Sequence, residues 1–426
     1  MNHNHILICN KTFISTLIIL FISISTFCQI IDEVMVPEYT LPDPLVCLDG
    51  SEVTTVKQWE EKRRPEILEM CEREMYGRSP LPSINMSFNE FNYNEHALGG
   101  KATRRQIRVL LNGKADGPKM DILIYYPNQV KEPVPVFLGL NFEGNHGIHP
   151  DPGIRLSKGW VWVGAAGAID NHPTEKSRGS TSNRWPIEMI LDRGYAVATI
   201  FAGDIDPDYY DEFKNGVHSL YPKFQNRGDN FSTMAAWAWG LSRGMDYFET
   251  DTKVDPDKVI VFGFSRMGKA SLWAGARDER FAMVISNGSG GGGAALSKRK
   301  FGEDVGRLNR GNPHWFCENF RKYNDNEEAL PFDQHMVIAL IAPRPLYLAG
   351  AEQDTGADPY GEFLAAKAAG PVYYLLGSTG LPTSQFPVVN QPVMGTIGFH
   401  MRSGNHDITP YDWEQFLNFA NEHFCQ

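Results

Sequence analysis

From Lys57 to Gly77 apolar residues recur at helical spacing, with Trp59, Ile67, Met70, Cys71 and Met75 near one face and Gly77 as a stop. The stretch before it, from about 29 to 56, is rich in proline and polar residues and carries few helix signals. Beyond it the pattern changes to runs: Arg105–Leu111, Met120–Pro127, Val134–Phe142 and Gly194–Ala202, the later ones nearly continuous in apolar β-formers. Continuous rather than alternating runs suit central strands covered on both faces. Lys258–Phe264, Phe281–Gly288, Arg344–Ala351 and Pro371–Gly377 extend the series, with helical patterns at Phe231–Phe248, Met267–Ala276 and Glu328–Ala342 between them. The chain closes on an amphipathic stretch, Tyr411–Phe424. This alternation predicts a mostly parallel central sheet with helices on both faces. No repeat of solenoid period occurs, so one domain is expected over 29–426, with an N-terminal extension over about 29–80. Long loops are expected at about 143–184 and 296–328, and loops of that size are more often functional than idle.

Composition narrows the class. The chain has 426 residues, 42% hydrophobic and 21% charged, which excludes disorder, collagen and coiled coil. Lys+Arg 40 against Asp+Glu 51 gives a net charge of -11 with no basic block, so nothing favours a nucleic-acid partner. Thr12–Phe27 is uncharged behind Lys11 and short for a membrane span, so residues 1–28 read as a cleavable signal peptide and the protein as secreted or periplasmic. An uncleaved anchor and lipidation at Cys28 are the alternatives, the second disfavoured by Phe27. No later segment could span a bilayer, and a monomer is expected. Four cysteines follow the signal segment, Cys47, Cys71, Cys317 and Cys425, and they allow three pairings without any CxxC spacing.

The chemistry gathers at Lys258–Ala270, where an apolar strand runs into Gly263-Phe264-Ser265-Arg266-Met267-Gly268 and a helix opens directly after. That is the setting of a nucleophile elbow, in which a serine sits on a tight strand-to-helix turn and the next N–H faces the reacting oxygen. The second glycine comes one residue later than the general motif asks. The plain alternative is a serine that only caps a helix. A hydroxyl needs an oriented base, and in this arrangement the chain order is Ser, acid, His. Arg344–Ala351 leads straight to an acidic turn in which Asp354 is best placed and Glu352 and Asp358 are rivals. Before the last helix, His406 follows Gly404 and is the stronger base, while His400 reads as structural. His146 and His149 have a ligand-like spacing, and His400 with His406 and Asp407 could form a cluster, but neither His pair is on a clear helix and no further ligand sits at motif distance, so a catalytic metal is disfavoured. Asn287–Gly293 is glycine-rich but lacks the Gly-Lys-Ser/Thr of a phosphate loop. The chemistry requires no cofactor.

Ser265-Arg266-Met267-Gly268-Lys269, late glycine included, resembles the signature of the glucuronoyl esterases, carbohydrate esterase family 15. The likeness extends in order through Leu41–Leu45, Trp59 with Lys62–Ile67, Met75–Arg78, Gly139–His146, Arg184–Pro186, Arg193–Tyr195, Gly203-Asp204, Leu330–His335 and Ala342–Pro345, and is similar to the bacterial branch. The resemblance implies an α/β-hydrolase fold with long active-site loops over 29–426. It implies Ser265 as nucleophile, His406 as base, and Arg266 at the oxyanion through its N–H and guanidinium. Lys269 would contact sugar hydroxyls, with a solvated first-turn lysine as the plain alternative, and Glu303 would be a further sugar contact.

Two departures stand out. Many members place the acid after the strand that follows the elbow helix, where this chain has Gly288, so Asp354 must serve instead. Several relatives also carry a tryptophan two residues beyond that acid, on the uronate ring, where this chain has Gly356. The expected activity is hydrolysis of glucuronate or 4-O-methylglucuronate esters of xylan, as in lignin–carbohydrate linkages. A cationic pair, Arg266 and Lys269, would favour a uronate over an acetyl group. The alternatives are an acetyl-xylan or other carbohydrate deacetylase, and a non-catalytic glycan-binding homologue.

Overall fold

The computed structural model describes residues 29–83 and 85–424. The expected signal peptide, 1–28, and Cys425 lie outside the described residues. Nine strands form one sheet: β1 (Ser87–Ala97), β2 (Ala102–Leu110), β3 (Lys119–Pro127), β4 (Val134–Asn141), β5 (Ala196–Phe201), β6 (Val254–Phe264), β7 (Met283–Asn287), β8 (Leu346–Ala351) and β9 (Ile397–Arg402). Their order is β1-β2-β3-β5-β4-β6-β7-β8-β9. The first three strands and the β3–β5 pairing are antiparallel, and every pairing from β5 through β4 to β9 is parallel. This is the α/β-hydrolase fold.

Alternate residues of β6 show why the central strands read as unbroken apolar runs. Val259 and Val261 join a core with Trp237, Trp273 and Ile338, from the helices Thr233–Phe248, Arg266–Arg277 and Gln334–Ala339. Ile260 and Phe262 join a second core with Ile190, Trp413 and Phe416, from the helices Ile187–Asp192 and Pro410–Phe424. Both faces of β6 are buried here, so Val259–Phe262 are apolar whichever way they point.

The helical N-terminal stretch begins at a capping box between Thr55 and Gln58 and ends at Gly77, whose φ is 83°. A Cβ there would stand 1.8 Å from the Asn230 carbonyl oxygen, so no larger residue could take the stop. Just before it, Tyr76 stacks on Trp273 at 4.1 Å between ring centroids. The N-terminal extension thus braces the helix that follows Ser265.

Three elements differ from expectation. Residues 371–377 are not a strand: Gly370–Leu375 is a helix with Pro371 in its first turn, burying Val372 and Tyr373 and exposing Tyr374. A short apolar run fits either periodicity, and the proline at the helix start settles it. β1 shows no apolar run because it is an exposed edge strand of largely polar residues. β9 was hidden because its interior residues include the polar His400 and Arg402, both buried. Cys47, Cys71 and Cys317 are buried and unpaired, so no disulfide forms among the described residues. Among those residues no helix is long and apolar enough to cross a membrane.

Candidate active site

Ser265 sits between β6 and the Arg266–Arg277 helix with φ 57° and ψ -132°. A non-glycine residue there costs about 1–3 kcal/mol and persists only where its surroundings hold it. Ser265 N–H donates to the Asn287 carbonyl at 2.8 Å, and the Gly268 and Lys269 N–H groups donate to the Ser265 carbonyl at 2.8 and 3.2 Å. A Cβ at Gly263 would lie 2.1 Å from the Met267 oxygen, and one at Gly268 would press on Ser289 at 3.1 Å and the Gly263 oxygen at 3.2 Å. Both glycines are therefore close-approach positions, and the late one packs the helix start against the end of β7.

The three residues expected to act together are brought together. His406 Nε2 lies 2.9 Å from Ser265 Oγ, and His406 Nδ1 lies 2.5 Å from Asp354 Oδ2. The imidazole is about 40% exposed and rests near the Phe264 ring, 4.6 Å between centroids. The rivals are otherwise engaged: Glu352 is exposed, and Asp358 is buried against Arg299 and caps the Pro359–Ala368 helix. A Cβ on Gly288 would lie 3.5 Å from both His406 Nδ1 and Asp354 Oδ2. The glycine thus faces the same imidazole nitrogen that Asp354 already occupies from β8.

His406 owes its place to a network that sequence reasoning missed. Arg402, at the end of β9, donates to the carbonyls of Ser403, Asn405 and Asp407 at 2.9, 2.9 and 2.5 Å and to Asp412 Oδ2 at 2.9 Å. Buried Asp412 also faces His400 Nε2 at 2.9 Å and accepts a hydrogen bond from Thr409 Oγ1 at 2.8 Å. Burial raises its pKa, but the His400 hydrogen bond and the charges of His400 and Arg402 outweigh that and hold it below the usual range. His400 is structural, as expected, its Nδ1 facing the Tyr347 hydroxyl at 3.0 Å. Arg184 ties Asp407 at 2.6 Å from the other side.

The cationic residues are placed differently from expectation. Arg266 opens the helix, where its N–H has no intrahelical acceptor. Its guanidinium, however, is ion-paired to Asp208 at 2.5 Å and lies over the Phe142 ring. Asp208 also faces His314 Nε2 at 3.0 Å and the Trp315 N–H at 2.8 Å. Lys269 is neither solvated nor free for sugar hydroxyls: it is buried and donates to the carbonyls of Ser289 and Gly291, both at 2.6 Å, and to Glu303 Oε2 at 2.8 Å. The side chain of Glu303 is 42% exposed. Both cations are thus matched by carboxylates, so positive charge does not by itself select the acyl group.

Two further features lie beside the site. On the long 143–184 loop, Trp162 is partly exposed and donates to Glu143 Oε1 at 3.2 Å, and Ser180 donates to the other oxygen at 3.2 Å. Trp160, Trp162, Phe142, Phe201 and Asp208 border a narrow crevice beside Arg266. Below the Gly288–Gly293 loop, Glu362 Oε1 accepts from Ser289 Oγ at 3.0 Å and Gly290 N–H at 2.8 Å. Burial pushes its carboxyl up to about 8, against the pull of those hydrogen bonds. The histidines with metal-like spacing diverge: His146 faces Ser177 Oγ at 2.7 Å and His149 faces Glu188 at 3.3 Å.

Arg402→Ala is expected to lower kcat by about 10-fold to 100-fold through loss of His406 placement, with the melting temperature recorded beside the rate because Asp412 is left buried with one partner fewer. Glu362 binds its proton more tightly folded than unfolded, so its contribution to stability is full below the ordinary carboxyl value of 4.5 and is lost as pH rises through about 8. Melting curves from pH 5 to 9 should therefore fall less steeply for Glu362→Gln than for the wild type.

A family model described as glucuronyl esterase, fungi, matches residues 186–377. The chain is 51% identical over 397 residues to a carbohydrate esterase from an unknown prokaryotic organism, covering 92% of this chain and 91% of that one. A solved glucuronoyl esterase from Solibacter usitatus aligns with a TM-score of 0.87 at 45% identity, over 92% of this chain and 100% of that one. A 4-O-methyl-glucuronoyl methylesterase from Schizophyllum commune is 28% identical over 350 residues, 79% of this chain and 74% of that one. With the elbow and the Ser265–His406–Asp354 relay in place, these likenesses settle the assignment: the chain belongs to the glucuronoyl esterases, carbohydrate esterase family 15, and is a carboxylic ester hydrolase.

Proposed function

We propose that the protein is an exported, single-domain esterase that cleaves glucuronate or 4-O-methylglucuronate esters carried on xylan, as in lignin–carbohydrate linkages. The observation that carries this reading is the hydrogen-bonded relay from Ser265 through His406 to Asp354 at the end of the parallel sheet. Ser265 Oγ attacks the ester carbonyl while His406 Nε2 takes its proton. Asp354 holds Nδ1–H, fixing the tautomer that leaves Nε2 free to accept. The carbonyl oxygen becomes an alkoxide, and the Arg266 N–H, left without an intrahelical acceptor at the helix start, stabilises that charge. His406 then returns the proton to the leaving alcohol, and water, activated by the same imidazole, hydrolyses the acyl-enzyme.

The sugar side of the cleft falls to Glu303. With Oε2 held by Lys269, its other oxygen accepts from a ring hydroxyl, and Lys269 acts by fixing that carboxylate rather than by touching sugar. The alcohol half leaves past Trp162 and the crevice beside Arg266. An ester carries no charge on its uronate carbonyl, so selection over acetyl rests on the ring hydroxyls, which an acetyl group lacks.

The test is release of benzyl alcohol from benzyl glucuronate and of acetate from acetylated xylan. Wild type should cleave the uronate ester at least tenfold more efficiently, and Ser265→Ala should lower kcat by roughly a million-fold. Acetate release alone would replace the substrate class, and glycan binding without turnover on either would replace the enzyme reading with a binding one.

A further inference from the structure

The first described residues of the chain run beside the loops that carry Glu303 and the triad acid. Ile30 forms a parallel bridge with Phe301, and its carbonyl accepts from Gly302 N–H at 2.8 Å. Three residues on, Glu33 pairs with Arg299 at 2.7 Å. Arg299 is buried and pairs at 2.9 Å with Asp358, the cap of the helix that follows the acid turn. The strand of chain from 29 to 33 is therefore pinned twice, by a backbone bond and by an ion pair, onto the two loops that carry Glu303 and Asp354.

That pinning sets the position of Gln29. A Cβ built on Gly356 would meet only two atoms within 4 Å, Gln29 Nε2 at 3.9 Å and Asp354 Oδ1 at 4.0 Å. Gly356 also accepts at its carbonyl from Glu303 N–H at 3.1 Å. The open space above Gly356 is thus bounded by a carboxamide from one side and the triad acid from another, and the loop beneath it is bonded to the one that carries Glu303. Gln29 is half-buried, and its amide has no hydrogen-bond partner among the described residues. A carboxamide both donates and accepts, which suits a sugar hydroxyl, itself donor and acceptor.

We infer that Gln29 is a specificity-determining residue, whose carboxamide hydrogen-bonds a ring hydroxyl of the uronate seated above Gly356. This rests on the uronate-ester reading above and adds the contact that reads the ring. The N-terminal strap supplies, from a distant part of the chain, a wall that the acid turn itself lacks, since Gly356 presents no side chain.

The test measures kcat and KM on benzyl glucuronate and on 4-nitrophenyl acetate, whose acyl group has no ring, for the wild type, Gln29→Ala, Gly356→Trp and the double variant. Loss of one neutral hydrogen bond should raise KM for benzyl glucuronate about 3-fold to 10-fold. With it, kcat should stay within twofold and the acetate ester should be unaffected. In the Gly356→Trp background the indole fills the space the amide borders, so Gln29→Ala should change nothing further. An unchanged KM in Gln29→Ala would overturn the inference, and so would an equal loss on both esters, which would make Gln29 a support for the Asp354 turn. A full-sized effect persisting beside Trp at 356 would also overturn it. A wild type that cleaves 4-nitrophenyl acetate but not benzyl glucuronate would instead fell the uronate reading, and the contact with it.

Discussion

Ser265 is held in a backbone conformation that its own side chain disfavours, and the surrounding structure follows from keeping it there. The turn is possible only because Gly263 and Gly268 let β6, the helix start and the end of β7 approach within contact distance. The helix after the serine must then not shift, and it is clamped by Tyr76 on Trp273 and by the buried Lys269 ammonium under the Ser289–Gly291 carbonyls. Hydrolase chemistry needs the serine oxygen presented and one N–H left unpaired beside it. Both come from the same reversal of the chain.

The second constraint is that the base and its acid arrive on separate loops that must agree to within a few tenths of an ångström. Arg402 solves this for His406 by gathering three loop carbonyls around one guanidinium, itself neutralised by Asp412. Asp354 is set by the end of β8, the neighbour of β9 in the sheet, so both loops start from adjacent strand ends. With the carboxylate delivered from β8, position 288 is free to be glycine at φ 52°, and the loop after β7 is instead tied down from below by Lys269 and Glu362.

Much of this was legible in the sequence because it rests on apolar continuity and chain order. The central strands are covered on both faces, so they read as unbroken runs, and Ser265, Asp354 and His406 follow the order that the connectivity imposes. What escaped was whatever rests on polar residues turned inward. β9 carries a buried histidine and arginine, and its role shows only once Asp412, ten residues on, is seen to be their partner. Lys269 and Arg266 looked like free cations because sequence spacing does not reveal that Glu303 and Asp208 come from loops 34 and 58 residues away. Residues 371–377 misled because an apolar run of that length satisfies strand and helix alike.

Asp354 is the carboxylate that orients His406, in a chain whose position 288 is glycine. The most direct test is kcat for Asp354→Asn on benzyl glucuronate at neutral pH, with the melting temperature as control. An asparagine of the same shape keeps the packing but favours the wrong imidazole tautomer, so kcat should fall by roughly 1,000-fold to 10,000-fold with KM little changed. A loss below tenfold in a folded protein would contradict the account and would mean that another group orients the histidine.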